Sequence, residues 1–288
     1  MKKLFNLFDL SQKVDYKTEI LSGLTVAMAL IPEAVAFALI AGLSPLTGLY
    51  AAFVMGLITS VFGGRPGMIS GATGAVAIVI AALAHSHGVE YIFATVVLAG
   101  IFQVTAGLLK LGKLMRLVPH PVIFGFVNGL AIIIFLSQMD QFKDPSGAWL
   151  AGETMYTLLG LVAVTMLLIW GLPKISKAIP ASLVAILSIF GVVYFFGIET
   201  KTVGDIASIS GGFPPFHIPM IPMTFEAFLV ILPYAAIMAG VGLIESLLTL
   251  NIIDEITETR GQGNREAVAQ GAANIISGFF SGMGGCAM

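Results

Sequence analysis

Long apolar stretches follow one another along this chain with almost no charge inside them, which forces the backbone into membrane-spanning helices. A helix that crosses a bilayer needs roughly 20 mostly apolar residues. Such spans run Ile20–Ala41, Leu46–Phe62, Tyr91–Leu109, Val122–Gln138, Met155–Leu172, Ala181–Gly197, Thr224–Ile253 and Ala267–Phe280. A shorter run, Ala75–Ala84, amounts to about 15 Å of helix, too little to cross alone. The expectation is an all-α membrane protein with eight full or nearly full crossings and one half helix. Only 10% of the 288 residues are charged and 57% are hydrophobic, against about 25% charged in an ordinary soluble domain.

Charge placement tests that count, because basic residues gather on the cytoplasmic side. With the N-terminus inside, the cytoplasmic parts hold Lys2, Lys3, Lys13, Lys17, Arg65, Lys110, Lys113, Arg116, Lys174, Lys177, Arg260 and Arg265. The outer loops hold only Lys143 and Lys201, so 12 of 14 basic residues fall inside. One crossing more or fewer would scramble the split. The half helix must therefore complete a crossing, with Arg65–Ser70 as an extended inner half. The chain is expected to be multi-pass in a cell membrane, a bacterial inner membrane, with a cytoplasmic N-terminus. Leu4–Leu10 reads as a short surface helix or an entry arm. Asn6, Asp9, Gln12, Lys13 and Asp15 interrupt any signal-peptide core. A net charge of -2 points to no nucleic-acid partner. The one cysteine, Cys286, excludes a disulfide framework and a zinc-ribbon site.

Two acids lie well within apolar spans, Glu33 and Glu245. A carboxylate in hydrocarbon costs at least a few kcal/mol, so such residues line a water-filled path, bind a cation or carry a proton. The alternative is a protonated, hydrogen-bonded structural acid. Pro32 precedes Glu33, so the first helix is expected to kink or open there and free carbonyls. Glu245 and Thr249 are four residues apart on one helix face. A carboxylate and a hydroxyl so placed can coordinate Na⁺ or relay H⁺, and the hard oxygen of Thr249 tips the reading toward Na⁺. Gly67-Met68-Ile69-Ser70-Gly71-Ala72-Thr73-Gly74 precedes the half helix. A helix N-terminus at mid-membrane presents unpaired N–H groups to an anion, and Ser70 and Thr73 add hydroxyl donors. A tight turn between packed helices is the plainer reading. Ala29–Glu33 is faintly echoed by Val241–Glu245, and each acid is followed by a Phe and a glycine cluster, at Phe62–Gly67 and Phe280–Gly285. A second half helix is therefore expected to begin at about Cys286, with the two copies inverted and their broken helices meeting at the midplane. His85, His87 and His120 read as loop or helix-start residues rather than metal ligands. Arg260, Arg265 and the acids near them read as a solvated inner loop.

At these motifs the chain resembles the SulP family of anion transporters, whose animal relatives include anion exchangers and the motor protein prestin. The residues that carry the resemblance are Gly23–Val26, Ile31–Ala38, Ala41–Tyr50, Ile69–Gly74 and Gly242–Thr249. The resemblance implies fourteen segments in two inverted repeats of seven, forming a core and a gate domain, usually followed by a cytosolic STAS domain. It implies an anion held between the N-termini of half helices 3 and 10. Carried over by position, it puts Glu33 and Phe37 beside the anion and makes donors of Ser70, Gly71, Ala72 and Thr73. Cys286 and Ala287 stand at the opposing half helix, and Glu245 with Thr249 forms a coupling-ion site. Position 33 is Glu where many members have Gln. Gly285–Met288 lacks the usual small or proline-containing start of segment 10.

The expected organisation is a cytoplasmic arm over 1–19, a first repeat over 20–223 and the start of a second over 224–288. The chain ends where segment 10 would begin, so residues 1–288 alone are expected to be inactive. The expected function is secondary transport of a small anion, of the bicarbonate, sulfate or dicarboxylate class, coupled to Na⁺ or H⁺, with no other cofactor. The alternative is a passive anion channel or exchanger on the same fold. A membrane enzyme lacks its motifs here, with no HExxH, GxSxG or paired catalytic aspartates. The expected partners are the anion, the lipid bilayer and, as a homodimer, a second copy.

Overall fold

The structure is a computed structural model, and it describes residues 15–112, 120–144, 147–175, 181–200, 202 and 211–288. The expected surface helix at Leu4–Leu10 lies outside these residues. Nine α-helices appear among them: α1 (Tyr16–Ile40), α2 (Pro45–Phe62), α3 (Gly74–His87), α4 (Val89–Leu108), α5 (His120–Met139), α6 (Glu153–Ile175), α7 (Ala181–Phe196), α8 (Phe225–Thr257) and α9 (Gly263–Phe279). Two short strands, β1 (Ser70–Gly71) and β2 (Cys286–Ala287), complete the order. Each expected span is present, with its ends moved by a few residues. Among the described residues, α1, α2, α4, α6 and α8 are long and apolar enough to cross a membrane.

Local chemistry explains the helix ends. Asp15 accepts from the Thr18 hydroxyl at 2.6 Å and from the Lys17 N–H at 3.2 Å, closing the start of α1. The Thr18 hydroxyl bond, aided by the backbone, holds the Asp15 carboxyl below its ordinary range. Ser44 and the ring of Pro45 start α2, where a missing N–H costs nothing. Thr73 and Thr224 cap α3 and α8 through their hydroxyls. α1 continues through Pro32 without a break, so the opening expected there does not form. Pro32 removes the donor for a single carbonyl, that of Met28, while the neighbouring turns keep theirs.

The chain divides into two compact units. Among the described residues, one comprises 31–112, 120–130 and 211–288; the other comprises 15–30, 131–144, 147–175, 181–200 and 202. The second unit rests on α6 packed against α7, with a bridge between Lys143 and Trp149. The first unit carries the candidate site, and its spine is the contact of α4 with α9. Small residues let two helix backbones approach closely in a membrane, and here glycines face glycines. A Cβ built on Gly100 would stand 2.6 Å from the Gly271 carbonyl oxygen, and one on Gly271 would stand 2.6 Å from that of Gly100. Gly107 lies equally close to a Val268 methyl, and a Cβ on Gly278 would stand 2.8 Å from the Phe93 carbonyl oxygen. α2 meets α1 in the same manner, Gly48 lying against the Ala34 carbonyl.

Two ties hold the ends of this unit. Arg65 pairs with Asp254 at 3.3 Å, donates to the Ile253 carbonyl at 3.2 Å and contacts the Thr257 hydroxyl. Asp254 also accepts from the Gly261 N–H at 2.8 Å, which shapes the turn between α8 and α9. At the opposite end, the His217 ring nitrogen lies 2.9 Å from both oxygens of Glu90. The Met220 N–H also donates to Glu90 at 2.8 Å. Both ties join segments remote in sequence.

Candidate functional site

The strand pair organises the site. β1 and β2 run antiparallel, with Ser70 opposite Ala287 and Gly71 opposite Cys286. Ile69 and Met288 exchange backbone hydrogen bonds at 3.3 and 2.8 Å just outside the pair. Cys286 and Ala287, where a second half helix was expected to begin, are extended and paired to β1, just as β1 itself precedes α3. Their side reach is set by glycine. A Cβ on Gly285 would stand 1.7 Å from the Gly71 carbonyl oxygen, so only glycine admits the crossing. An antiparallel meeting of equivalent segments is what inverted copies require.

α3 begins three residues after β1 ends, and its 14 residues span about 21 Å. Thr73 is the pivot. Its Oγ1 lies 3.5 Å from the Val76 N–H as helix cap and 3.1 Å from Cys286 Sγ. The Cys286 thiol in turn lies 2.8 Å from Glu245 Oε2. Three of the expected site residues, Thr73, Glu245 and Cys286, are thus brought together from the start of α3, α8 and β2, while Glu33 is half-buried on α1. Ser246, the neighbour of Glu245, accepts from the Ala287 N–H at 3.0 Å and ties α8 to β2.

The other expected residues have different surroundings. Gly71, Ala72 and Ala287 are buried in the crossing. Phe37 is a buried core residue of α1. Thr249 is half-buried on α8, and no hydrogen bond joins it to Glu245 among the described residues. Ser70 is buried with its hydroxyl against Gln270 Nε2 at 2.6 Å.

α9 supplies residues that the spans did not announce. Glu266, Gln270 and Asn274 recur every four residues and are all buried, so they form one polar stripe facing the crossing. Glu266 accepts from the Gly64 N–H at 2.7 Å and from Gln270 at 2.8 Å. Asn274 donates to Gln103 Oε1 at 2.8 Å and to the Gly285 carbonyl at 3.0 Å, and accepts from the Gly285 N–H at 2.9 Å. The reading of the acids near Arg265 as a solvated loop fails at Glu266, which is 2% exposed. The four-residue spacing of Glu, Gln and Asn in an apolar run was the available signal.

A model of the sulfate permease family matches residues 16–146 and 149–287. The chain is 47% identical over 285 residues to the putative sulfate transporter YbaR of Bacillus subtilis, covering 98% of this chain and 58% of that protein. It is 34% identical over 293 residues to the bicarbonate transporter BicA of Picosynechococcus, covering 93% of this chain and 51% of that one. Among solved structures, the transmembrane domain of a cyanobacterial BicA superposes with a TM-score of 0.76 at 30% identity, covering 92% of this chain and 72% of the other. Murine Slc26a9 superposes at 0.70 and 16% identity, covering 100% and 54%, a likeness of fold alone. The chain spans about half the length of the curated relatives it matches.

Proposed function

We propose that this chain, which belongs to the sulfate permease family, forms part of a secondary transporter that binds a small inorganic anion where β1 and β2 cross. One observation carries the reading: the capped N-terminus of α3 lies beside an antiparallel strand pair, with Glu245 bonded to Cys286 across it. Helix N–H groups favour an anion there, and the acid Glu245 on α8 offers a place for a coupling cation. Sulfate and bicarbonate are the substrate classes, a choice supported by the printed names of the relatives. The cation is Na⁺ or H⁺.

Uptake of radiolabelled sulfate and bicarbonate by cells expressing the intact gene product tests the proposal, with Na⁺ and external pH varied independently. Concentrative uptake that follows one of the two cations supports it. Saturable flux indifferent to both returns the site to a passive channel or exchanger, and no flux of either anion refutes the substrate class.

The same reading orients the chain, with the turn between α8 and α9 cytoplasmic and the end of α3 outside. Ser86 and Arg260 are exposed, and Cys286 is the chain's one cysteine and is buried. A membrane-impermeant maleimide added to intact cells should label Ser86→Cys and leave Arg260→Cys untouched until the membrane is opened. Labelling of Arg260→Cys in intact cells would reverse the orientation.

A further inference from the structure

The α9 stripe supports the strand crossing, and at one point its hydrogen-bond directions are over-determined. Both oxygens of Glu266 accept, one from the Gly64 N–H and one from Gln270 Nε2. A carboxylate oxygen needs a donor facing it, so the nitrogen of the Gln270 amide must point to Glu266. The second hydrogen of that nitrogen goes to Ser70 Oγ at 2.6 Å. Ser70 therefore acts as acceptor toward Gln270, and its own hydroxyl proton is unspent. Gln270 Oε1 is buried without a partner. Turning the amide over would cure that, because Oε1 would then accept the Ser70 proton. Buried polar groups normally find partners, yet here the reversal would set an amide oxygen against the Glu266 carboxylate. Asn274 shows the contrast, since both ends of its amide are spent on Gly285 and Gln103.

We propose that Glu266 and Gln270 are positioning residues for the anion. The carboxylate orients the amide, and the amide holds the Ser70 hydroxyl as a donor for the anion beside the start of α3. This rests on the reading of Ser70 as part of the anion site. It gives a buried acid, remote from the coupling acid, a role in substrate affinity.

The test is uptake kinetics for radiolabelled sulfate and bicarbonate in cells expressing the intact gene product. Ser70→Ala should raise KM roughly ten-fold, the loss of one donor to a charged ligand, and leave the maximal rate nearly unchanged. Glu266→Gln still offers an oxygen to Gly64 but frees the Gln270 amide to turn, and should raise KM by the same factor. The double variant should be no worse than either single one. Gln270→Met, which fills similar space without an amide, gives an independent route to the same rise. A merely structural role would lower the amount of protein or the maximal rate instead. An unchanged KM in Glu266→Gln and Gln270→Met, alongside a raised one in Ser70→Ala, overturns the relay and leaves the anion site standing. Multiplying effects in the double variant overturn it too. An unchanged KM in Ser70→Ala removes Ser70 from the site and the relay with it, while Thr73→Val still probes the site itself.

Discussion

Glu245→Gln should abolish the cation dependence of anion uptake in the intact gene product. The substitution keeps the size of the side chain and removes only its capacity for negative charge. Glu245 lies well inside α8, a 33-residue helix of apolar character, where an acid without a cationic partner is costly. Breaking a buried charge pair costs about 3 kcal/mol, so the cation should bind about 100-fold more weakly. The oxygen contacts differ from those read off the helix face. Cys286 Sγ is the group at 2.8 Å from Oε2, and Thr249 makes no bond to the carboxyl among the described residues. Two outcomes separate the cations. If Na⁺ couples, Glu245→Gln removes the response to Na⁺, and Thr249→Val weakens it by loss of one oxygen ligand. If H⁺ couples, Glu245→Gln flattens the pH response and Thr249→Val leaves it intact. Uptake in Glu245→Gln that keeps both responses would remove Glu245 from the mechanism and leave it a structural acid.

The spans were legible because twenty apolar residues in a row have one solution in a bilayer. Glu33 and Glu245 were legible for the same reason, as costly exceptions in those spans. Thr73 was read as a hydroxyl donor ahead of the half helix, and its capping of α3 came from the structure. The strand pair was not legible: two residues, Cys286 and Ala287, carry no periodicity, and their conformation is decided by Gly71 and Gly285 passing close by. Ala267–Phe280 was read as one more apolar span, which hid the stripe of Glu266, Gln270 and Asn274 that braces the crossing. Nor does chain order say which helices pack. α4 and α9 are separated by four of the described helices in sequence, yet they pack glycine against glycine, and α6 and α7 fall in another unit. Glycines at 100 and 107 on α4, and at 271 and 278 on α9, repeat every seven residues. That repeat marks a face of close approach, but the partner comes only from the fold.

Gly271→Val should abolish the folded protein. A Cβ at Gly271 would lie 2.5 Å from the Val104 nitrogen and 2.6 Å from the Gly100 carbonyl oxygen. Both obstacles are backbone, so no side-chain rotation relieves the clash, and the helices must move apart. Moving them opens the Gln103–Asn274 hydrogen bond that spans the same seam at 2.8 Å. Asn274 then loses its hold on Gly285, and the crossing of β2 over β1 loses its brace. Overpacking costs about 1–3 kcal/mol, and each buried polar group left unpaired adds about 1–3 kcal/mol. With Gln103 and Asn274 both unpaired these come to about 3–9 kcal/mol, a large part of the stability of an ordinary domain. Gly160, on α6, has nothing within 4 Å of its notional Cβ, and Gly160→Ala should be tolerated. Size-exclusion profiles of fluorescently tagged protein in mild detergent separate the two. Gly271→Val should lose its monodisperse peak, and Gly160→Ala should keep it. A monodisperse, thermally unaltered Gly271→Val would mean that α4 and α9 do not meet at these glycines, and the placement of the α9 stripe against the strand crossing would fall with that contact.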